Sequence, residues 1–590
     1  MKELQSLFLV PIAALGLTAA LHATAYLHGE ARRHQPRFWF FFVTTLAAMA
    51  GVVLAPGKLT FLLAWEAMGL ASAGLVAFEN TEKSVRKATW IYLLACHAGA
   101  CALMLAGVLL NRPDCTHTAF VCAVVGFGLK IGFPPFHVWL PEAHPAAPAP
   151  ASAILSGAMI PLGYYGLLRF ATPWGQASAI WGQAPEMFAI SGWTLLVLGI
   201  CGALGGILFA LPQVNLKKLL AFSSVENMGV VALGLGLACL GTDPRFVGTG
   251  PNGSLGTGPA SAPIAALALS GALAHILNHA FLKGGLFLGA GSVLRQTGTL
   301  DQDRLGGLLK RLPKTGTLFV LNALGLSGLP PLNGFLSELL IYLAAFHAIR
   351  SHVPALMTAG FLVVVALALT GGLATAAYTK AIGATFLGEP RSEAAARAVE
   401  TPARMWIAPL GLFLGSLALT VGTVVCAQLL PPALGIAPVP DALLASILAV
   451  VGLSVALVLL VAALVAIRRF LCPRGRVKPV CPTWDCGYHA PTARMAYTAT
   501  AFTQPLVDLF APLLKPRHHL IPFKGHPATP TDAAFVTETD DRTLTNFWRP
   551  VFTWCARLFQ RAHLLQNGSL HFYIFLALLA VLVLLAVSLV

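Results

Sequence analysis

The chain is 590 residues long, 57% hydrophobic and only 10% charged, with a net charge of +15, whereas soluble globular domains carry about 25% charged residues. These figures exclude a water-soluble protein. Because the 56 Gly and 40 Pro lie within apolar surroundings, they also exclude disordered and collagen-like chains. What remains is an all-α polytopic membrane protein. The cysteines fit the same pattern: Cys96, Cys101, Cys122, Cys201, Cys239 and Cys426 sit in apolar stretches without a secreted spacing, so they read as small core residues rather than a disulfide framework.

Crossing the hydrocarbon takes about 20 mainly apolar residues. Such stretches fall, in chain order, at 5–27, 38–56, 59–78, 88–110, 118–136, 151–170, 190–211, 219–240, 263–294, 316–348, 354–379, 406–430, 441–467 and 570–590, which predicts about 14 transmembrane helices. The stretches 263–294 and 316–348 are too long for one straight span and contain Gly or Pro, so both are expected to be broken. The first stretch has no small-residue cleavage site and reads as a retained helix.

Numbering the connections alternately puts 30 of the 38 Lys and Arg residues on one side and five on the other. With the long block 468–569 set aside, the ratio is still 17 to 5, so the positive-inside rule makes the basic side cytoplasmic and both termini external. Topology thus accounts for the net charge, and no nucleic-acid partner is called for. The organisation expected is a transmembrane bundle over 1–467, a cytoplasmic-side lateral arm over 468–569 and an anchor helix at 570–590. Within the arm, 496–514 and 544–565 are apolar-rich, as amphipathic helices lying along a membrane or a partner are.

A charge at membrane depth costs about 2.5–3.5 kcal/mol on translocon scales. Glu66, Lys130, Glu226, Lys283 and Glu338 lie well inside predicted segments, joined by His97, His275 and His279, with Lys217, Lys218 and Lys380 at or near segment ends. Acids and bases at similar depth on different helices are what a proton relay requires; structural ion pairs are the alternative. His275, His279 and Lys283 are spaced by four, which puts them on one helical stripe. A metal is the less suited reading of that pair of histidines, since zinc takes three or four protein ligands and Lys is not a usual one. Pro134 and Pro135 follow Lys130, and Pro330 and Pro331 precede Glu338, so helix breaks that favour hydrated cavities are expected beside both charges.

Soluble-enzyme motifs fail on context. Gly248-Thr-Gly250-Pro-Asn-Gly253 has no strand before it, and the spacing of Cys472, Cys481, Cys486 and His489 suits neither zinc nor an iron–sulfur cluster. No cofactor or metal is expected in this chain.

Several stretches together carry a resemblance. They are Trp65-Glu66, the run from Gly128-Leu-Lys130 through Pro134-Pro135-Phe-His137-Val-Trp139-Leu-Pro141-Glu-Ala-His144-Pro-Ala-Ala-Pro148, the segment from His275 to Lys283, and Gly328-Leu-Pro330-Pro331-Leu-Asn-Gly334-Phe-Leu-Ser337-Glu338. This set resembles the antiporter-like proton-channel subunits of complex I, Mrp antiporters and group 4 [NiFe]-hydrogenases. Phe222-Ser-Ser-Val-Glu226-Asn227, Glu rather than Lys at 338, and Trp484-Asp-Cys486-Gly-Tyr488 followed by Arg494-Met-Ala-Tyr497 are most similar to the large membrane subunit of formate hydrogenlyase and hydrogenase-4 complexes.

The resemblance implies an inverted-repeat bundle in a bacterial or archaeal cytoplasmic membrane. It further implies proton or sodium translocation without redox chemistry in this chain. The implied partners are other membrane subunits and a peripheral hydrogenase-like arm whose subunits hold iron–sulfur clusters and a NiFe centre. It also implies that Glu66 pairs with Lys130, that His275, His279 and Lys283 form the central relay, and that Glu338 faces the outer exit. The chain departs from the pattern in having two fewer helices ahead of the first segment, and in placing Pro161 where many relatives have a titratable Lys. A cation/proton antiporter and a structural anchor with a silent relay are the rival readings.

Overall fold

In a bilayer every backbone polar group must be paired inside the protein, and helices do this segment by segment. The structure, a computed structural model, describes residues 2–28, 34–110, 112–172, 174, 186–247, 262–471, 493–526, 529–539, 541, 543–562, 572, 574–576 and 578–579. They divide into two units, Met1–Thr539 and Asp540–Val590. Among the described residues, 12 helical spans are long and apolar enough to cross a membrane, and Asn333–Ile349 is a shorter apolar helix. The Gly248–Gly253 stretch and Cys472, Cys481, Cys486 and His489 lie outside the described residues, as does most of the predicted anchor 570–590.

Helices α1 (Lys2–Tyr26), α2 (His34–Leu54), α3 (Lys58–Val76) and α4 (Lys83–Leu109) keep the predicted order. Helix α5 (Thr116–Ile131) stops at Gly132, whose φ of +82° glycine alone adopts readily, just ahead of the expected break at Pro134-Pro135. The next stretch, 137–150, departs from the sequence reading, which places it between membrane segments. It forms a short turn at Phe136–Trp139, then α6 (Leu140–Ala146) and α7 (Ala149–Ile154), and most of it is buried. Glu142 is its one Asp, Glu, Lys or Arg, so little opposes burial, and the Trp139 indole donates to the Leu129 carbonyl at 2.7 Å. A π turn at Leu155–Met159 then leads through Pro161, which has no N–H to continue the ladder, into α8 (Leu162–Phe170).

Helices α9 (Glu186–Ala210) and α10 (Leu216–Gly241) pack backbone to backbone. A Cβ added at Gly206 would lie 2.4 Å from the Glu226 nitrogen, and one at Gly229 would lie 2.1 Å from the Ala203 nitrogen; small residues permit such approach in membranes. Nearly all of α10 is buried, and it packs on α11 (Ala262–Thr297).

Helix α11 is continuous over 36 residues, which corrects the expected break in 263–294. Its glycines serve contact rather than interruption: a Cβ at Gly284 would meet Leu15 at 2.2 Å and one at Gly291 would meet Ala149 at 2.3 Å. The other long stretch does break. Helices α12 (Pro313–Leu326) and α13 (Asn333–Ile349) are separated at Ser327–Leu332, where the Gly328-Leu-Pro-Pro sequence stands.

Helices α14 (Pro354–Phe386), α15 (Ala403–Ala433) and α16 (Asp441–Leu471) complete the apolar spans, and α16 buries only Ile447, Val451 and Ser454. Further along, α17 (Ala499–Leu509) matches the predicted amphipathic stretch 496–514. An all-helical reading omits the antiparallel hairpin that comes after it, formed by β1 (Arg517–His526) and β2 (Thr529–Glu538), which pairs Arg517 with Glu538 and His526 with Thr529. Ile521, Phe523, Phe535 and Val536 give these segments strand propensity. In the second unit, α18 (Arg549–Ala562) falls within the predicted 544–565.

Candidate functional site

The interior of the bundle is largely apolar, and the lysines buried in it take their hydrogen-bond partners from neighbouring segments. On the first side, α3, α4 and α5 contribute Glu66, His97 and Lys130. Glu66 Oε2 lies 3.2 Å from His97 Nδ1, and both side chains are partly exposed, 30% and 51%. Lys130 is buried and donates to Cys96 Sγ at 3.2 Å, with its Nζ 5.6 Å from the Trp65 ring and 5.5 Å from the Tyr92 ring. The implied Glu66–Lys130 pair is therefore not formed. Successive helical residues point about 100° apart, so Trp65 and Cys96 face Lys130 while their neighbours Glu66 and His97 face one another. A cavity of about 10 Å³ lined by Trp65, Cys96, Lys130 and Trp139 adjoins the ammonium.

The centre of the site lies where α10, α11, α13 and α14 meet. Lys283 Nζ donates to the Leu220 carbonyl at 3.0 Å and to Ser223 Oγ, and lies 3.2 Å from the Tyr378 hydroxyl. Ser223 is one turn below Asn227, whose amide donates to the Ser223 carbonyl at 2.7 Å and to Glu226 Oε2. Asn227 Oδ1 lies 3.2 Å from His275 Nε2, and the other ring nitrogen lies 3.0 Å from Ser337 Oγ. Beyond Ser337 the network reaches Asn278 at 3.0 Å, which exchanges hydrogen bonds with Asn333. A run of polar groups, with the Ser223 main-chain carbonyl as the step between Ser223 and Asn227, thus links Lys283 through His275 to the start of α13, buried throughout.

His279 is also buried on α11, and neither of its ring nitrogens has a partner among the described residues. Glu226 and Glu338 line one narrow cleft between α10, α13 and α14. The Glu338 carboxylate rests against Gly328, where an added Cβ would lie 2.7 Å from Oε2, so the break at 327–332 does stand against the charge. Lys217 donates to the Ala147 carbonyl at 2.7 Å, and Lys218 is half-buried beside it. Lys380 is buried and donates to the carbonyls of Leu211 and Gln213, the latter at 2.8 Å.

Two sets of residues were not singled out by charge. Ser223, Asn227, Asn278, Asn333, Ser337 and Tyr378 build the central network, and their signal is only that small polar groups recur beside charged ones in apolar helices. His144 is the other case: its ring stacks on Phe287 at 4.9 Å, neither nitrogen has a partner among the described residues, and it lies within electrostatic reach of Lys217 and Lys283. Among the described residues no three His, Cys, Asp or Glu side chains are grouped to hold a metal ion.

The family described as NADH:quinone oxidoreductase/Mrp antiporter, TM, matches residues 55–243 and 260–366. Hydrogenase-4 component B of Escherichia coli (strain K12) is 32% identical over 633 aligned positions, covering 99% of this chain and 88% of the relative. Formate hydrogenlyase subunit 3 of the same organism is 32% identical, covering 81% of this chain and 75% of its own length. In three dimensions the chain is similar to one in the membrane-bound sulfane sulfur reductase, an archaeal respiratory membrane complex, with a TM-score of 0.66 at 23% identity over 99% of this chain and 88% of the other. The chain belongs to the family of NADH:quinone oxidoreductase and Mrp antiporter membrane subunits.

Proposed function

We propose that this chain is the ion-translocating subunit of a respiratory complex whose peripheral arm is hydrogenase-like, with H+ or Na+ as the transported ion. The observation that carries the reading is the buried network from Lys283 through Ser223, Asn227 and His275 to Ser337, with Glu226 and Glu338 facing one cleft. Titratable groups joined by hydrogen-bonding side chains at membrane depth are the usual mark of an ion path. Similarity to hydrogenase-4 component B and formate hydrogenlyase subunit 3 favours partners that hold the iron–sulfur clusters and NiFe centre, other membrane subunits beside this one, and a cytoplasmic membrane, and the excess of Lys and Arg on one side favours both termini outside. In this scheme Glu66 and His97 form one end of the relay, Lys130 the next station, and Glu338 the outlet.

The test is ion movement by the assembled complex in vesicles. Lys283→Ala and Glu226→Gln are expected to leave redox turnover in place and to lower coupled transport by roughly a factor of 100, the scale of a lost proton-transfer group. Native transport in both variants removes the proposal. A structural anchor with a silent relay is the second reading, and Pro161 favours it, being buried where a titratable side chain would otherwise connect the two halves.

A further inference from the structure

A cavity of about 190 Å³ lies on the basic side of the bundle, between the end of α14 and the segment leading into α17. Lys380, Gly383 and Arg391 form one wall, and Tyr497, Thr498 and Phe502 form the other. An ammonium has three donors. Two of those on Lys380 are taken by the Leu211 and Gln213 carbonyls, which leaves one for whatever occupies the cavity.

The surroundings of Lys380 are tied to α17 by a ladder of hydrogen bonds. Thr500 donates to the Asp303 carboxylate through its backbone N–H at 3.1 Å and its hydroxyl at 2.5 Å. The Asp303 carbonyl accepts from Arg391 Nε at 3.0 Å, and Arg391 Nη2 donates to the Gln302 carbonyl at 2.8 Å and to that of Ala384. The Gln302 side chain in turn donates to the Gln213 carbonyl at 3.3 Å and that of Val214 at 3.1 Å, and Gln213 is the acceptor of Lys380. The charged groups facing Lys380 from these elements are Asp303 and Arg391, with Asp303 attracting the ammonium.

We infer that this cavity is the uptake chamber for the transported proton on the basic side, with Lys380 as its acceptor and the Thr500–Asp303 contact as the latch by which α17 governs access. The inference rests on the ion-translocating reading above and adds where the ion is taken up and what controls it. In the chemical step, an O–H bond of hydronium in the chamber breaks as an N–H bond forms on the neutral Lys380 amine, leaving water behind. The N–H bond then breaks as the proton moves inward, restoring the amine. The acceptor inward is Lys283, reached through water, since its partner Tyr378 is two residues from Lys380 on α14 and so about 200° around that helix.

Gly383 offers the probe, since a Cβ there would have open space. Gly383→Cys, in a chain whose 11 native cysteines are replaced by Ala or Ser, is tested in membranes that hold the assembled complex. A hydrophilic, membrane-impermeant thiosulfonate is added to the side that carries Arg397. Modification is expected from that side, and roughly tenfold faster when Asp303→Asn with Thr500→Val weakens the latch by removing its side-chain hydrogen bond and its charge. Lys380→Met is expected to lower transport by roughly tenfold or more. A thiol unreactive from that side overturns the chamber, and equal rates with and without the latch overturn its control by α17. Native transport in Lys380→Met beside loss in Lys283→Ala overturns the role of Lys380 and leaves the broader reading standing; native transport in both overturns the two together.

Discussion

Asn227 is the residue on which the centre of the site depends, because one side-chain amide serves the Ser223 carbonyl, Glu226 and His275 together. Leaving a buried polar group without its partner costs about 1–3 kcal/mol. Asn227→Leu strands two titratable groups at once, and coupled transport is expected to fall roughly tenfold or more while the complex still assembles; vesicle transport assays with a native-gel control check it. Residue by residue, the charged members were legible in the sequence because a charge at depth is rare and stands out. Lys130, Glu226, Lys283 and Lys380 are all buried in the structure. Asn227 and Ser337 entered only as parts of the resembling stretches, and neither they nor Asn278 were legible as site residues, since an uncharged polar side chain in a membrane helix is ordinary until its partners are known. Cys96 read as core filling, yet its sulfur accepts from Lys130. The partner assigned to Lys130 failed for a geometric reason: Glu66 is one position, and so about 100°, away from the face that Lys130 meets.

Helix pairing decides where these groups stand. The contact of α9 with α10 sets the position of Glu226, because Gly206 abuts its backbone. Gly206→Val forces an overlap that costs about 1–3 kcal/mol, and the yield of assembled, folded protein in detergent is expected to fall. Gly205→Val is the matched control: an added Cβ there meets nothing within 4 Å, and its yield is expected to stay at the native level. At this scale neither proline nor glycine was a dependable guide by itself, since Pro11 lies inside α1 and Pro409, Pro431 and Pro432 lie inside α15. Pro134-Pro135 and Pro330-Pro331 mark true breaks because a proline lacks the N–H that a helix needs. The glycines of α11, read as a second source of breakage, instead admit Leu15 and Ala149, a role invisible without the neighbour.

Across the molecule, charge asymmetry fixed an expected orientation in which the connection holding Arg397 and the one holding Arg350 lie on opposite sides. Both residues are exposed. Arg397→Cys is expected to react with an impermeant thiol reagent from the cytoplasmic side of oriented membranes and Arg350→Cys from the other; labelling of both from one side removes the assignment. The succession of apolar spans was legible from hydropathy alone, since thirteen of the predicted stretches coincide with helices among the described residues. The buried course of 137–150 was not, because a stretch nearly free of charge suits a short connection and an interior turn equally well. The β1–β2 hairpin escaped because its few apolar residues are set in a polar block read only for amphipathic helices.

The unbroken course of α11 has a mechanical consequence. His275 and Lys283 hold partners on α10, α13 and α14 from a single rod, and a shift by one position would turn that rod about 100° and advance it 1.5 Å, detaching them all together. It therefore behaves as a fixed axle. In the proposed translocation, movement is expected at the segments whose backbone is already interrupted, Gly132–Pro135 beside Lys130 and Ser327–Leu332 beside Glu338, with the centre held in register between them.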